Sequence, residues 1–508
     1  MAVFSSSNKL QNLFPKTEGL ITLVTPLMLP DSYEVTSNKP NKGANLRQAL
    51  AIAAGKTLLQ ILQKTGRGGT ALPGLVAHRL DPHILSGLTA RLPAGSTVVT
   101  GTNGKTTTTR LLATILQVAG LKVVNNRSGS NLIRGLTSTL LTHAKFSGKL
   151  EADSGLFEVD EAAFPQAVAE IVPRFILINN LFRDQLDRYG EIDNIRKLWI
   201  ASVQKLTAGT TLILNADDPS VAYLARFAPA GVRSIFFGLD DPSQTLPELP
   251  HAVDAAKCVV CGSALRYEAV YISHMGHYQC TNCDFKRPPP DYLAQNILLQ
   301  GTSGAQFTLS TPDEPLNLSL GVPGLYNIYN ATGAAAASLA MGLAPENVRH
   351  GLAEFKAAFG RIEWVKLAED KSLLLALVKN PVGFNEVLRM LTTNPAEKLK
   401  LLVIINDLTA DGRDVSWLWD VDFEVLAGRV EFAMTSGLRA TDMAVRLKYA
   451  GVDANLIRAE DDIATALKQA TARLTSGETL YVTPTYTAML QTRQILQKMG
   501  MVLPFWEE

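Results

Sequence analysis

Thr100-Gly101-Thr102-Asn103-Gly104-Lys105-Thr106-Thr107 sits between a β-branched run, Ser96-Thr97-Val98-Val99-Thr100, and a helix-forming run from Thr106 to Val118. Strand, glycine loop and helix in that order are the context of a phosphate-binding loop. Backbone N–H groups of such a loop point at phosphate oxygens, and glycines let the chain come close. Lys105 would neutralise the outer phosphates of ATP, and the Thr106 hydroxyl would ligate Mg²⁺. Val99 stands where the general pattern has its first glycine, so a chance Gly-Lys-Thr is the competing reading.

Outward from the loop, short β-rich runs (Gly155 to Val159, Phe175 to Asn179, Thr211 to Leu214, Ser234 to Phe237) alternate with helical stretches such as Ile192 to Leu206. This is the pattern of an open α/β sheet with crossover helices. Mg²⁺ needs further oxygen ligands. Glu158, Asp160 and Glu161 follow the strand at Gly155, and strand ends face the ligand crevice in such sheets; Glu158 is taken as the second Mg²⁺ ligand beside Thr106. A second α/β block follows Arg361, with strands at Leu373 to Val378, Leu401 to Ile405, Val430 to Thr435 and Thr479 to Thr483 and helices at Thr441 to Tyr449 and Asp462 to Leu474. The expected organisation is therefore a variable extension over 1–44, an ATP-binding domain over 45–365 and a C-terminal α/β domain over 366–508.

The extension is rich in Ser, Asn, Pro and Lys, and its apolar run, Gly19 to Leu29, is too short to span a bilayer and lacks an A-x-A cleavage site. Asn45 to Lys64 reads as an amphipathic helix. Its Arg47, Lys56 and Lys64 beside an apolar stripe suit an anionic bilayer surface, with packing on the sheet as the alternative. The 508 residues are 46% hydrophobic and 19% charged, with a net charge of +1. That is an ordinary globular composition with no electrostatic reason to bind nucleic acid.

All four cysteines fall in one segment, about 250–290, which ends in Lys286-Arg287-Pro288-Pro289-Pro290. Cys258-Val-Val-Cys261 and Cys280-Thr-Asn-Cys283 are separated by 18 residues. Two such knuckles make a Cys₄ zinc ribbon, in which four thiolates close a structural site; a redox pair is the alternative. His274 and His277, between the knuckles, read as ribbon surface rather than ligands. A glutaminase of the cysteine–histidine type needs a nucleophilic thiol. If all four hold zinc, none is left, and ammonia from glutamine must be made on another chain.

The short loop Thr-Gly-Thr-Asn-Gly-Lys-Thr-Thr resembles that of Mur ligases and folylpolyglutamate synthetases. Further landmarks are similar and in order: Asn125 to Ser138, Asn215-Ala216-Asp217-Asp218-Pro219, Gly324 to Ala331, and Gly360-Arg361-Ile362-Glu363. Within that family the likeness narrows to the MurT subfamily through Arg183 to Asp193, the four cysteines, Lys379 to Asn385, and Ala410 to Trp417; it covers about residue 45 to the end. The resemblance implies a Mur ligase-type central P-loop domain with an inserted Cys₄ zinc ribbon and a C-terminal α/β domain. It implies an ATP site at Thr102, Asn103, Gly104, Lys105, Thr106, Thr107, Asn215, Asp218 and Arg361.

It further implies a GatD-like glutaminase partner, whose triad Asp414 would complete, and a lipid II substrate whose D-glutamate α-carboxylate is amidated, in the cytoplasm at the inner face of the membrane. Gln185 stands where ordinary Mur ligases carry a metal-binding histidine, and Lys197 is out of register with their carbamylated lysine. The stretch before the loop is also too short for their UDP-binding domain. A stand-alone amino-acid ligase and a non-catalytic nucleotide-binding scaffold are the rival readings.

Overall fold

The computed structural model describes residues 42–64, 71–126, 130–183, 192–247, 250, 255–355, 362–367, 370–394 and 396–502. Of residues 1–45, only the backbone of Lys42–Asn45, the first turn of the helix Lys42–Lys64, is described. Leu46–Glu508 forms a separate compact unit.

Its strands are β1 (Ser96–Thr100), β2 (Val123–Asn125), β3 (Ser154–Glu158), β4 (Phe175–Ile178), β5 (Thr211–Asn215), β6 (Arg233–Leu239), β7 (Leu265–Ile272), β8 (Met275–Cys280), β9 (Tyr292–Leu299), β10 (Ala305–Ser310), β11 (Leu316–Leu320), β12 (Glu363–Lys366), β13 (Ser372–Leu375), β14 (Leu399–Ile404), β15 (Val430–Ser436), β16 (Ile457–Glu460) and β17 (Thr479–Pro484). Among the described residues the first sheet runs β11-β10-β9-β6-β5-β4-β1-β3-β2. It is parallel from β2 to β9, and β10 and β11 add antiparallel.

β1 is buried along its whole length because helices cover both faces of a parallel sheet. Val99 packs with the helices Lys105–Val118 and Leu325–Ala340 on one side. Val98 packs with Ile133–His143, Phe164–Ile171 and Ile192–Val203 on the other. Sequence reading found β1, β3, β4, β5 and β6 but not the parallel β2 and β9 or the antiparallel extension. In β10 and β11 buried residues alternate with more exposed ones, the pattern of a sheet with one wet face.

The second sheet runs β12-β13-β17-β14-β15-β16, parallel except for β12. Because β12 pairs here, this body already begins at Glu363. The helix Lys42–Lys64 contributes to the same core cluster as Val98 of β1 and Val124 of β2. Ala51 and Ile52 are buried, and Lys56 Nζ donates to the carbonyls of Leu141, at 3.0 Å, and Ala144 at the end of a neighbouring helix. Leu46, Leu50 and Ile61 stay exposed.

Candidate functional site

The glycine loop leaves β1 at its carboxyl end, with β3 and β4 on either side, the position at which such sheets open a crevice. Gly104 has φ +84°, and a Cβ there would come within 2.0 Å of Asn330 Oδ1. Only glycine fits so close to the helix Leu325–Ala340. The loop is clamped onto the end of β4: Asn103 N donates to Asn180 Oδ1 (2.8 Å) and Thr102 N to the Asn180 carbonyl (3.1 Å). Phe182 N donates to Thr102 Oγ1 (3.0 Å), which in turn donates to the Phe182 carbonyl (3.1 Å). Lys105 and Thr106 open the following helix, both buried. Lys105 Nζ donates to the carbonyls of Gly101 (2.6 Å) and Thr102 (3.2 Å) and to Glu161 Oε2 (2.9 Å).

Of the three acids read from the sequence, Glu161 is thus the one brought against the loop lysine. Trp199 Nε1 donates to its carbonyl at 3.0 Å and fixes its backbone. Glu158 is buried at the end of β3, its backbone exchanging hydrogen bonds with the Asn126 amide. Asp160 accepts from Ala162 N in the turn that follows.

A cleft opens beside the loop and is lined by Asn103, Gly104 and Thr107. Tyr326, Asn327 and Asn330 line a second side. Asn330 is held by Thr108 Oγ1 (3.1 Å) and donates to Asn327 Oδ1 (3.1 Å). The C-terminal body closes a third side. Asn380 caps the helix Pro381–Leu391, accepting from Gly383 N, with proline at its first turn, a strong start signal. That helix end reaches the loop: Asn380 Nδ2 donates to Asn103 Oδ1 (3.0 Å) and Lys379 Nζ to the Thr102 carbonyl (3.3 Å). One turn on, Glu386 lines the cleft fully buried; burial pushes its carboxyl up to about 7, against the pull of Arg389. Sequence reading quoted the Lys379 to Asn385 segment and, within Gly324 to Ala331, Asn327 and Asn330, without giving them a role, and it missed Glu386.

Two sequence-derived candidates lie behind the cleft wall instead. Asn215 is fully buried and donates to the Asn179 carbonyl (2.8 Å) and Met275 Sδ (3.3 Å). Asp218 is equally buried, accepts from Leu181 N (2.7 Å) and caps the short helix Pro219–Tyr223. Their polar atoms hold the frame under the loop. Arg361 and the segment 184–191, with Gln185, lie outside the described residues.

Four free thiols form the only cluster of potential metal ligands found among the described residues, with all sulfurs within 4.8 Å of one another. Cys258 and Cys283 Sγ are 3.6 Å apart, Cys261 and Cys280 Sγ 3.5 Å. A ZnS₄ tetrahedron with bonds of about 2.3 Å has edges of about 3.8 Å, so the set fits that ion. Backbone N–H groups of Val260, Asn282 and Cys283 point at the sulfurs. His274 and His277 are not in the set, but the expectation that both lie on the ribbon surface is corrected for His274. It is buried at the tip of the β7–β8 hairpin, 3.4 Å from Asp218 Oδ2 and with its ring tilted against Phe182, because that tip inserts into the core of the first body.

Asp414 lies far along the chain from all of these, exposed on the C-terminal body. It accepts from Ser416 N at 2.8 Å, and hydrogen bonds from Ser416 hold its carboxyl below the usual range. It shares a groove with Trp419, Arg439 and Arg446. Trp419 and Tyr449, with rings 5.9 Å apart, are both exposed.

Residues 99–285 match the Mur ligase middle domain and residues 377–489 the MurT ligase C-terminal domain. The chain is 34% identical to the lipid II isoglutaminyl synthase (glutamine-hydrolyzing) subunit MurT of Streptococcus pneumoniae, over 89% of this chain and 97% of that one. It is 31% identical to the subunit of the same name from Staphylococcus aureus, over 82% and 91%. Among solved structures it resembles a pseudomurein peptide ligase type C from Methanothermus fervidus (TM-score 0.59, 21% identity, 80% and 78% covered). It also resembles MurF ligase from Thermotoga maritima in complex with ADP (TM-score 0.57, 14% identity, 82% of each). These two likenesses concern the fold. No described helix is long and apolar enough to cross a membrane.

Proposed function

The chain belongs to the MurT family, and on that premise we propose that it is the ATP-using synthetase subunit of a lipid II isoglutaminyl synthase. The reaction is amidation of the α-carboxylate of D-glutamate in the lipid II stem peptide, with ammonia from a GatD-like glutaminase. The observation that carries this reading is the likeness to the Streptococcus pneumoniae subunit along 97% of that protein, joined to an intact phosphate loop.

ATP sits on the loop, its phosphates against the N–H groups of Thr102 to Thr107 and the Lys105 ammonium. Mg²⁺ would be held by Thr106 and by Glu158 or Glu161 and would supply charge neutralisation. The substrate carboxylate attacks the γ-phosphorus and ADP leaves, giving an acyl phosphate. Lys105 stabilises the charge on the transferring group, and Lys379, donating to the same loop, adds a second cation from the C-terminal body. Ammonia then attacks the acyl carbon, phosphate departs, and a proton is lost to leave the amide. Asn215 and Asp218 act from behind, by holding the loop's neighbours.

The four cysteines hold a structural zinc and leave no thiol for glutamine hydrolysis. Asp414 completes the partner's triad: an ionised carboxylate on an exposed surface beside Trp419 and Tyr449 suits both docking and orientation of a histidine. The enzyme works in the cytoplasm at the inner membrane face, where Leu46, Leu50 and Ile61 offer an apolar strip to the bilayer surface.

The test is reconstitution with a GatD-like glutaminase, following ¹⁵N from the glutamine side-chain amide into the stem peptide. ATP-dependent label in the product supports the reading. Addition of an amino acid by the chain alone would make it a stand-alone ligase, and no ATP turnover with substrate would make it a scaffold.

A further inference from the structure

The cysteine segment is not an appendage of the first body. At one end of the β7–β8 ladder Leu265 pairs with Cys280, inside the thiol cluster; at the other Ile272 pairs with Met275. Four residues separate Cys280 from Met275, a span of about 17 Å of extended strand. At the base, Cys258 and Cys280 pack with Leu265, Tyr278 and Phe285 in a small second core shared with Ala222 and Tyr223 of the first body. At the tip, Tyr271, Ile272 and Met275 belong to the main core around the phosphate-loop helix.

The tip is fastened on both sides. Gly276 N donates to the Asp217 carbonyl (3.0 Å), and Asn215 Nδ2 meets Met275 Sδ. From the C-terminal body Arg389 Nη1 donates to the Tyr271 carbonyl (2.9 Å). Ile272 and Met275 are each only 2% exposed, and what they show faces the cleft beside Gly104 and Thr107. Val382 and Val387 of the C-terminal body line the same cleft.

We propose that Ile272 and Met275 form an apolar wall for the purine ring of the nucleotide, and that ligation of the four cysteines holds this wall in place. A purine is a flat ring that needs apolar surface within reach of the phosphate site. The hairpin supplies that surface, and the thiol cluster closes its opposite end, with Leu246 N donating to the Val270 carbonyl (2.7 Å) and His277 Nε2 3.0 Å from the Leu239 carbonyl along the way. Losing the metal frees the base of the ladder, and the tip loses its register against Asp217 and Arg389. The cysteines thereby act on nucleotide affinity without touching the nucleotide. Ile272 and Met275 are binding residues; the cysteines are positioning residues.

The inference rests on the nucleotide reading above, and the experiment separates the two. Binding of a non-hydrolysable ATP analogue to the full chain is measured by calorimetry, together with zinc content and circular dichroism. The forms compared are wild type, Lys105→Ala, Met275→Ala and Cys261→Ser, the last altering the exposed ligand. Met275→Ala is expected to raise Kd about tenfold with zinc unchanged. Cys261→Ser is expected to lose zinc, keep the far-ultraviolet spectrum of the two α/β bodies, and raise Kd by a similar factor. Wild-type affinity in folded, zinc-free Cys261→Ser would overturn the coupling, and an unchanged Kd in Met275→Ala would overturn the wall. If Cys261→Ser does not fold, chelator-stripped wild type takes its place under the same criterion. Equal binding by wild type and Lys105→Ala would instead refute the nucleotide site itself, and the inference with it.

Discussion

Lys105 Nζ lies 2.9 Å from Glu161 Oε2, with both side chains nearly sealed from solvent. The lysine that would grip phosphate is thus neutralised by an acid from the next strand connection and by two carbonyls of its own loop. Phosphate has to take its place among those partners, and Glu161 is left at the position where a Mg²⁺ ligand is useful. Lys105→Ala should lower ATP-dependent amidation by about a hundredfold or more, because a positioned cation on the transferring group is removed. Glu161→Gln should raise the Mg²⁺ concentration needed for half-maximal rate. An unchanged Mg²⁺ requirement, with only a lower melting temperature, would confine Glu161 to a counter-ion role.

If Asp414 completes the partner's triad, its substitution separates glutamine hydrolysis from amide synthesis. Asp414→Asn should leave folding, zinc content and nucleotide binding as they are. Glutamine-driven amidation should fall by about a hundredfold or more, since a misoriented histidine no longer activates the partner's cysteine. A high concentration of an ammonium salt should restore the rate through the intact ATP site. Full activity with glutamine would remove Asp414 from the triad; loss with both nitrogen sources would place it in the synthetase chemistry or the fold.

Glu386 gives the protein a pH signature. Burial raises its carboxyl from 4.5 to about 7, so between those values the folded chain holds a proton that the unfolded chain releases. Stability therefore falls as pH rises from about 4.5 to 7 and levels off above, by about 3 kcal/mol at most for this group. Glu386→Gln, always neutral, should melt higher than wild type at pH 8 and equally at pH 4.5. Parallel melting curves across that range would show that the buried carboxyl is already ionised in the fold.

Leu46, Leu50 and Ile61 lie within one face of the helix Lys42–Lys64 and are exposed at 65%, 59% and 53%. Wild type should float with vesicles containing anionic lipid, and replacing all three by serine should abolish flotation while leaving the melting temperature nearly unchanged. Flotation that survives the triple change would place the membrane contact elsewhere. Lys56 is not expected to contribute, because its ammonium is already bonded to the end of a neighbouring helix.

Features written contiguously in the chain were legible without the structure. Strand, Gly101 to Thr107 and helix follow one another within a few residues, and backbone geometry is a local property, so their order was enough to identify the loop. The paired Cys-x-x-Cys knuckles were legible for the same reason: a tetrahedral sulfur set constrains spacing more than it constrains the rest of the fold. The central parallel strands of both bodies could be read because doubly covered strands are apolar throughout, whereas β2, β9 and β16, shorter or partly exposed, were not. What depends on residues meeting across long separations could only be decided by packing. Glu161 rather than Glu158 meets Lys105 because the turn after β3 carries it over the loop. Lys379 and Asn380 reach Thr102 and Asn103 from a second body, 277 residues away in each case. His274 looks like a surface residue of a ribbon until the tip of its hairpin is placed in the core. Glu386 carries no local mark of its burial; only the closure of two bodies around one cleft takes water from its carboxyl and moves its pKa.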